Sequence, residues 1–274
     1  MPEFVKYAVE DQIAIVTLNR PEKLNALNPD FKQQIIDALA KADADKAVSV
    51  IILEASGRSF GVGFDIGGAP DRDVRRDDPL RWDPMLHKSL EMAFAPWSTS
   101  KPVVAAVQGH VLGGSCELAM MCDLTIAAED AKFGEPEVRF SHIGPVMVMP
   151  WVIGLKRARE LLYFGDMIDA KTALEYGMVN RVVPRSELHR FVRTYAKRLA
   201  LISPEALRWA KRSINRGAEI AGFRSAIEAG VDSLVSLYGA KTAVGSQFDK
   251  IVNESGLKAA LEWRAAQFRE LNIE

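Results

Sequence analysis

The sequence predicts an α/β protein, because short apolar runs alternate with longer segments of helical period that begin at capping residues. Most of the short runs are continuously apolar, which is typical of strands covered on both faces of a sheet. The strand signals stop near residue 200, and the remaining sequence has helical character almost throughout. We therefore expect a mixed core over residues 1–200 and a helical region over residues 201–274.

Five segments have the composition of strands, and four of them are nearly unbroken apolar runs. They are Ile13–Leu18, Val50–Leu53, Val103–Val107, Leu124–Ala128 and Val179–Val183.

Helix signals lie between and after these strands. Asn28 precedes Pro29, a favoured first helical residue, and an apolar stripe of period 3.6 follows. Asp169 begins a short helix that Gly177 ends, and Ser186 begins another. In the helical region Ser203 caps a helix, and breaks are expected near Gly217, Gly245 and Gly256.

Composition excludes several classes of function. The chain has 35 Lys+Arg against 36 Asp+Glu, so it lacks the basic footprint of a nucleic-acid-binding protein. Its two cysteines, Cys116 and Cys122, have neither a disulfide framework nor a metal-ligand spacing. With no apolar run of membrane-span length and no signal-like start, a cytoplasmic location is expected.

Two glycine-rich turns each follow an apolar strand, at Ser56–Ile66 and Gln108–Glu117. Glycines there let a ligand approach backbone N–H groups, and the second turn places the N–H of Gly114 at the start of a helix. One N–H from each turn could form an oxyanion hole. A phosphate loop is the alternative, although neither turn has the glycine spacing of the known nucleotide motifs.

Two carboxylates stand near apolar residues. Glu117 precedes a run of apolar residues, and Glu137 follows the second turn. If two carboxyl groups share one pocket, their pKa values diverge, so that one can act as an acid and the other as a base. From the residues alone, Glu137 is also consistent with an exposed loop and Glu117 with an ordinary first helical turn. The polar segment 67–84 is either a solvated loop or a flap beside a site.

Several motifs together, in this order, resemble the enoyl-CoA hydratase/isomerase (crotonase) superfamily. They are Leu18-Asn19-Arg20-Pro21 with Leu24-Asn25-Ala26-Leu27, then Phe60-x-x-Gly63-x-Asp65-Ile66, then Gly109-x-x-Leu112-Gly113-Gly114-Ser115-Cys116-Glu117, then Phe133-Gly134-x-Pro136-Glu137, and Ala170-x-x-Ala173-x-x-x-Gly177. The resemblance covers nearly the whole chain. It implies a spiral of β-β-α units with a C-terminal helical oligomerisation region, assembled as a homotrimer or a hexamer.

The resemblance also implies the site residues. The N–H groups of Phe64 and Gly114 would form the oxyanion hole for a thioester. Glu117 would activate water, and Glu137 would exchange the proton at the α-carbon. Coenzyme A, as part of the substrate, would contact Lys23, Leu24, Asp65 and Ile66. No metal or redox cofactor is implied.

The chain departs from the family pattern after Glu137. Pro145 stands where a backbone N–H holds the catalytic water in hydratases, and proline has no N–H. Met147, Met149 and Trp151 replace small residues expected to border the acyl pocket. The leading hypothesis is hydration of trans-2-enoyl-CoA to 3-hydroxyacyl-CoA. The alternatives are a Δ3,Δ2-enoyl-CoA isomerase that uses Glu137 alone, and a non-catalytic CoA-binding homologue.

Overall fold

The computed structural model describes residues 2–66, 79–240 and 242–269, excepting the side chains of residues 79–83. Its strands are β1 Val5–Glu10, β2 Ile13–Leu18, β3 Val50–Ala55, β4 Val103–Val107, β5 His110–Leu112, β6 Leu124–Ala128, β7 Lys132–Gly134, β8 Ile168–Asp169 and β9 Arg181–Val183. Its α-helices are α1 Pro29–Ala44, α2 Pro79–Ser98, α3 Gly114–Met120, α4 Met149–Ile153, α5 Leu155–Phe164, α6 Ala170–Tyr176, α7 Leu188–Ala200, α8 Pro204–Ile220, α9 Phe223–Gly239, α10 Ala243–Ser255 and α11 Leu257–Arg269.

The strands form two sheets. The larger has the order β1-β2-β3-β4-β6-β9 and is parallel except for the β1–β2 pair. Its alternate residues enter two different apolar clusters: Val16 and Leu53 face the main core, whereas Ile15 and Ile52 face helix α7. Both faces are therefore covered, which explains why the central strands are apolar without alternation. The smaller sheet has the order β5-β7-β8.

The predicted α/β class and four of the five predicted strands are confirmed, while the fifth, Val179–Val183, shortens to β9. Strand β1 escaped prediction because it lies at the edge of the sheet with a mixed pattern of exposure. Strands β5, β7 and β8 have only two or three residues each, too few for a period to be recognised.

Three predicted helix caps are confirmed. The side chains of Asn28 and Asp169 each accept a backbone N–H bond of 2.8 Å three residues ahead, and Ser203 accepts one of 3.4 Å. The cap predicted at Ser186 is wrong. That residue lies within a 3₁₀ helix, Arg185–Glu187, and α7 begins at Leu188 without a side-chain cap.

The helical region departs from prediction at two glycines. Gly217 lies inside α8 and Gly245 inside α10, whereas the chain turns at Gly222, with φ 93°. The break predicted at Gly256, with φ 85°, is confirmed. Helix α9 buries an apolar stripe in the main core: Phe223, Ile227, Val231 and Leu234. Helices α10 and α11 form a small cluster with Phe140. The division at residue 200 stays a prediction.

Two polar junctions hold the helices to the larger sheet. The buried Lys211 on α8 donates to the carbonyl oxygens of Pro96 and Lys101, to Thr99 Oγ1 and to Asp123 Oδ2, over 2.7–3.0 Å. On the opposite face, Glu54 of β3 accepts two bonds from the guanidinium of Arg193, at 2.8 and 3.1 Å, and lies 3.1 Å from His189 Nδ1. Each junction joins segments that are distant in sequence.

Among the described residues, no helix combines the length and apolar character that a membrane span requires.

Candidate active site

A cavity of about 410 Å³, here the main cavity, lies where the first glycine-rich turn meets helices α1, α2, α9 and α10. Its wall consists of Arg20, Leu27, Asn28, Pro29, Lys32, Val62, Phe64, Asp65, Ile66, Met85, Leu86, Ser89, Pro136, Glu137, Phe140, His142, Ile143, Pro145, Tyr238 and Asp249. A second cavity, between α1 and α2, contains none of the predicted site residues.

The two glycine-rich turns run side by side. Gly61 pairs with Val111 in a parallel bridge, donating to the carbonyl of His110 and accepting from Leu112, both at 3.0 Å. Ser115 Oγ then accepts the N–H of Gly63 at 3.2 Å. A Cβ atom on Gly61 would collide with that hydroxyl, so a glycine is required at this crossing.

The structure brings the predicted oxyanion pair, Phe64 and Gly114, together. Gly114 is the first residue of α3, so its N–H has no acceptor inside the helix. Leu27 bonds to the carbonyl of Gly63 and the N–H of Asp65, which leaves the N–H of Phe64 outside this ladder. A Cβ atom on Gly63 would lie 3.4 Å from the Gly114 nitrogen, and one on Gly114 would lie 2.5 Å from the Phe64 ring.

Glu137 is the predicted catalytic carboxylate that reaches the main cavity. It follows β7 in a 3₁₀ helix, Pro136–Phe140, and its carboxyl group lies over the α-carbon of Gly113, where a Cβ atom would collide with it. Burial raises the pKa of Glu137 to about 7. This carboxyl group can therefore gain or lose a proton near neutral pH, beside the N–H of Gly114.

Glu117, the other predicted catalytic residue, lies behind the wall. It is 0% exposed on α3, and its Oε1 accepts the N–H of Val146 at 2.9 Å. Burial raises the pKa of Glu117 well above its usual range; the Val146 bond opposes this shift and the charge of Glu137 adds to it. Within the part of the chain that is described, Glu117 Oε2 has no hydrogen-bond partner, so it can still accept one.

The segment after Glu137 partly corrects the sequence interpretation. Pro145 does lie on the cavity wall, and the N–H of the next residue, Val146, is committed to Glu117. The expectation for the bulky residues is wrong. On the wall as described, Ile143 and Pro145 are present but Met147, Met149 and Trp151 are absent, because Met149 points into the core and Trp151 packs against Phe223.

A third buried carboxyl group, Glu135, was missed. It is 3% exposed, and burial raises its pKa well above the usual range, with the charges of Glu117 and Glu137 adding to the effect. A Cβ atom on Gly144 would collide with the carboxyl oxygens of both Glu117 and Glu135. Because position 144 has no side chain, these two groups approach each other. The one sequence signal that could have suggested Glu135 as part of the site is its location within the Phe133–Glu137 motif.

A lysine on the wall was also missed. Lys32 belongs to α1 and is 4% exposed, and its Nζ donates to Ser89 Oγ at 3.0 Å. Burial, and secondarily the charge of Lys88, lowers the pKa of Lys32 to about 8. The sequence carried a signal, since Lys32 precedes the buried Ile35 and Leu39 by three and seven residues and so shares their helix face.

The predicted CoA contacts divide into two pairs. Asp65 and Ile66 line the main cavity, and Asp65 pairs with Arg20 at 2.7 Å. On the wall as described, Lys23 and Leu24 are absent. Lys23 ends an exposed 3₁₀ helix, and Leu24 adopts a left-handed conformation with φ 50°. Contact of Lys23 and Leu24 with CoA therefore stays a prediction, and it would take place outside the main cavity.

The predicted loop or flap, residues 67–84, lies outside the described residues as far as Asp78. From Pro79 onward the chain is helix α2, so the last part of that prediction is wrong. No group of three or more His, Cys, Asp or Glu side chains suited to a metal ion occurs within the described ranges.

Comparison with known proteins is consistent with this geometry. The family model "Enoyl-CoA hydratase/isomerase" matches residues 8–270. The chain is 34% identical over 266 residues to a probable enoyl-CoA hydratase of Mycobacterium tuberculosis, covering 94% of this chain and 95% of the relative. It is 35% identical over 263 residues to the crotonyl-CoA hydratase of Syntrophomonas wolfei, with coverage of 94% and 95%.

Among solved structures, an enoyl-CoA hydratase/isomerase from Xanthobacter autotrophicus Py2 superposes with a TM-score of 0.93 at 36% identity, covering 98% of this chain and 99% of that one. The fold is therefore the crotonase fold that the sequence resemblance implied. With its two glycine-rich turns and its glutamates in place, the chain belongs to the enoyl-CoA hydratase/isomerase family.

Proposed function

We propose that the protein adds water to a trans-2-enoyl-CoA to give the 3-hydroxyacyl-CoA. The observation that carries this proposal is the placement of Glu137, with a pKa raised to about 7, beside the paired turns of Phe64 and Gly114. The names of the two curated relatives, both hydratases, support it.

In this mechanism the thioester oxygen accepts hydrogen bonds from the N–H groups of Phe64 and Gly114. Negative charge grows on that oxygen as water adds to the β-carbon, and fixed N–H donors stabilise the charge without reorganising. Ser115 holds the geometry through its bond to Gly63.

The two glutamates divide the proton transfers. Glu117 takes the proton of the attacking water, and Glu137 delivers a proton to the α-carbon. Each carboxylate raises the cost of ionising a close neighbour, so a charge on one glutamate favours a proton on the other. The Val146 N–H steadies the ionised form of Glu117.

A second candidate function is Δ3,Δ2-enoyl-CoA isomerisation. On the described wall of the main cavity Glu137 is present without Glu117, and Pro145 supplies no N–H for a catalytic water. A single carboxylate that moves a proton between two carbons would suit this arrangement.

Three further expectations belong to the same proposal. Coenzyme A enters as part of the substrate, with no metal or redox cofactor. The chain works as a homotrimer or hexamer, which is supported by exposed apolar side chains on its helices and on the turn after α7: Tyr163, Leu201, Trp209, Ile214 and Ile220. A cytoplasmic location is supported by the two buried free cysteines.

Mass spectrometry on a panel of enoyl-CoA thioesters tests the reaction. A mass gain of one water on a 2-enoyl-CoA is the expected result, and the Glu117→Gln variant should lose it. A shifted double bond without a mass change, retained in that variant, would replace hydration by isomerisation. Tight CoA binding without any turnover would favour the non-catalytic alternative.

A further inference from the structure

Lys32 is a buried cation on the wall of the main cavity, and its N–H donors are only partly used. An ammonium group has three N–H donors, and Ser89 Oγ accepts one of them at 3.0 Å. The Nζ atom also lies 5.4 Å from the centre of the Phe64 ring. Across the residues that the structure describes, no carboxylate oxygen lies within 4 Å of it.

Other buried cations of this chain are satisfied by the protein itself. Lys211 donates to three oxygens and pairs with Asp123, and Lys101 donates to the carbonyl oxygens of Ala42 and Asp45 at 2.7 and 2.6 Å. On the cavity wall as described there are two cations, and the second, Arg20, is paired with Asp65. Of these cations Lys32 has the fewest acceptors among the described residues, a single hydroxyl oxygen, and an incompletely paired buried charge is costly.

The location of Lys32 indicates which part of a thioester it would meet. The phosphates of coenzyme A are strongly hydrated and stay near solvent, whereas the acyl chain enters the protein interior. Lys32 is buried and lies over the ring of Phe64, whose N–H is assigned to the thioester oxygen. It therefore borders the acyl side of the main cavity.

We propose that the ammonium group of Lys32, held in place by Ser89 Oγ, is a subsite for a carboxylate carried by the acyl chain, so that the preferred substrates are CoA monothioesters of unsaturated dicarboxylic acids. The subsite rests on the proposed function, in that it assigns a substrate class to the same cavity. The O–H of Ser89 donates to the carbonyl of Met85 at 3.0 Å, so the N–H donors of Lys32 that Ser89 does not accept are the ones left for the acid.

A matched pair of substrates tests the subsite: trans-2-hexenoyl-CoA and its analogue with a carboxylate at the far end of the chain. The informative variant is Lys32→Met, which removes the charge and keeps the length. Lys88→Met is the control, because it removes a neighbouring charge that lies outside the cavity wall and pairs with Glu91.

We expect the wild-type protein to favour the acid-tailed substrate in kcat/KM. Lys32→Met should reduce that preference roughly ten- to a hundredfold, the value of one charge-assisted hydrogen bond, mainly through KM. Hexenoyl-CoA turnover should change little, and Lys88→Met should keep the preference. Lys32→Arg, which retains the charge, should keep part of it.

Equal losses on both substrates in Lys32→Met, or an unchanged preference, would overturn the subsite. Calorimetric binding of two saturated analogues, hexanedioyl-CoA and hexanoyl-CoA, separates the two proposals because it needs no turnover. If the diacid thioester binds more tightly in a Lys32-dependent way and no substrate is hydrated, the proposed hydration is overturned and the subsite is supported. Hydration of hexenoyl-CoA without preference for the acid would do the reverse.

Discussion

Buried carboxylates occur in two regions of this molecule and behave in opposite ways. Burial alone would raise the pKa of Glu54, but hydrogen bonds and charges from His189 and Arg193 outweigh it and lower that pKa to about 2. Next to the main cavity, burial raises the pKa of Glu117, Glu135 and Glu137. No cation in the described part of the chain lowers these pKa values. The presence of a countercharge separates the two regions.

The same contrast divides the lysines. Lys211 is surrounded by four oxygen acceptors and joins α8 to the sheet, whereas Lys32 has one hydroxyl group and faces the main cavity. A charged group that the fold satisfies stabilises the fold. A charged group that the fold leaves partly unsatisfied is available to a ligand, at a cost in stability.

The largest effect is expected for Glu137→Gln. Losing the proton-transfer group should lower kcat/KM by roughly 10²–10⁴-fold. The folded-state pKa of Glu137 lies above its usual value of 4.5, so its contribution destabilises the fold as pH rises from about 4.5 to 7. The variant should therefore be more stable than the wild type at pH 8, by about 1–3 kcal/mol. Kinetics measures the loss of activity, and urea unfolding at pH 4 and 8 measures the difference in stability between the variant and the wild type. The same difference at the two pH values would contradict the assignment.

A slightly smaller effect is expected for Gly114→Val. Its side chain would push against the Phe64 ring and separate the two N–H donors. The loss of one oxyanion donor should cost roughly 10²–10³-fold in kcat. Gly217→Ala is the matched control, because nothing lies within 4 Å of its Cβ position and it lies inside a helix. A wild-type kcat in the Gly114→Val protein would show that Gly114 does not belong to the oxyanion hole.

Glu54→Gln should do the opposite of Glu137→Gln. It should leave kcat unchanged and lower the free energy of unfolding at pH 7 by about 2 kcal/mol. Because the folded-state pKa of Glu54 is about 2, its stabilising contribution is complete above 4.5 and disappears as pH falls towards 2. Urea titrations of both proteins at pH 7 and pH 3 check this, and a difference that grows on acidification would refute it.

The smallest effect is expected for Glu135→Gln. Burial and the charges of Glu117 and Glu137 raise the pKa of Glu135, which favours its neutral form, and an amide of the same shape replaces that form with little change. We expect kcat/KM within about threefold of wild type and a stability change below about 0.5 kcal/mol. A large loss of activity would show that Glu135 is ionised in the working enzyme.

The features that local chemistry determines were predictable from the sequence. Asn28, Asp169 and Ser203 cap their helices because each oxygen needs only an N–H three residues ahead. Family resemblance predicted Glu137 and the N–H groups of Phe64 and Gly114 as site residues, and their catalytic roles stay predictions. Glu135 and Lys32 were not predicted, because their burial depends on segments far away in the sequence. The helix break at Gly256 was predicted correctly, whereas the breaks at Gly217 and Gly245 failed for a similar reason, since several glycines compete and packing selects which one takes a positive φ.

The main cavity is closed by α10 as well as by the first residues before α1. Arg20 and Asp249 stand on the same wall, although most of the sequence separates them. A ribosome makes roughly 5–20 residues per second, so many seconds pass between the synthesis of these two residues. A growing chain therefore cannot complete the wall of this cavity until α10 has been made.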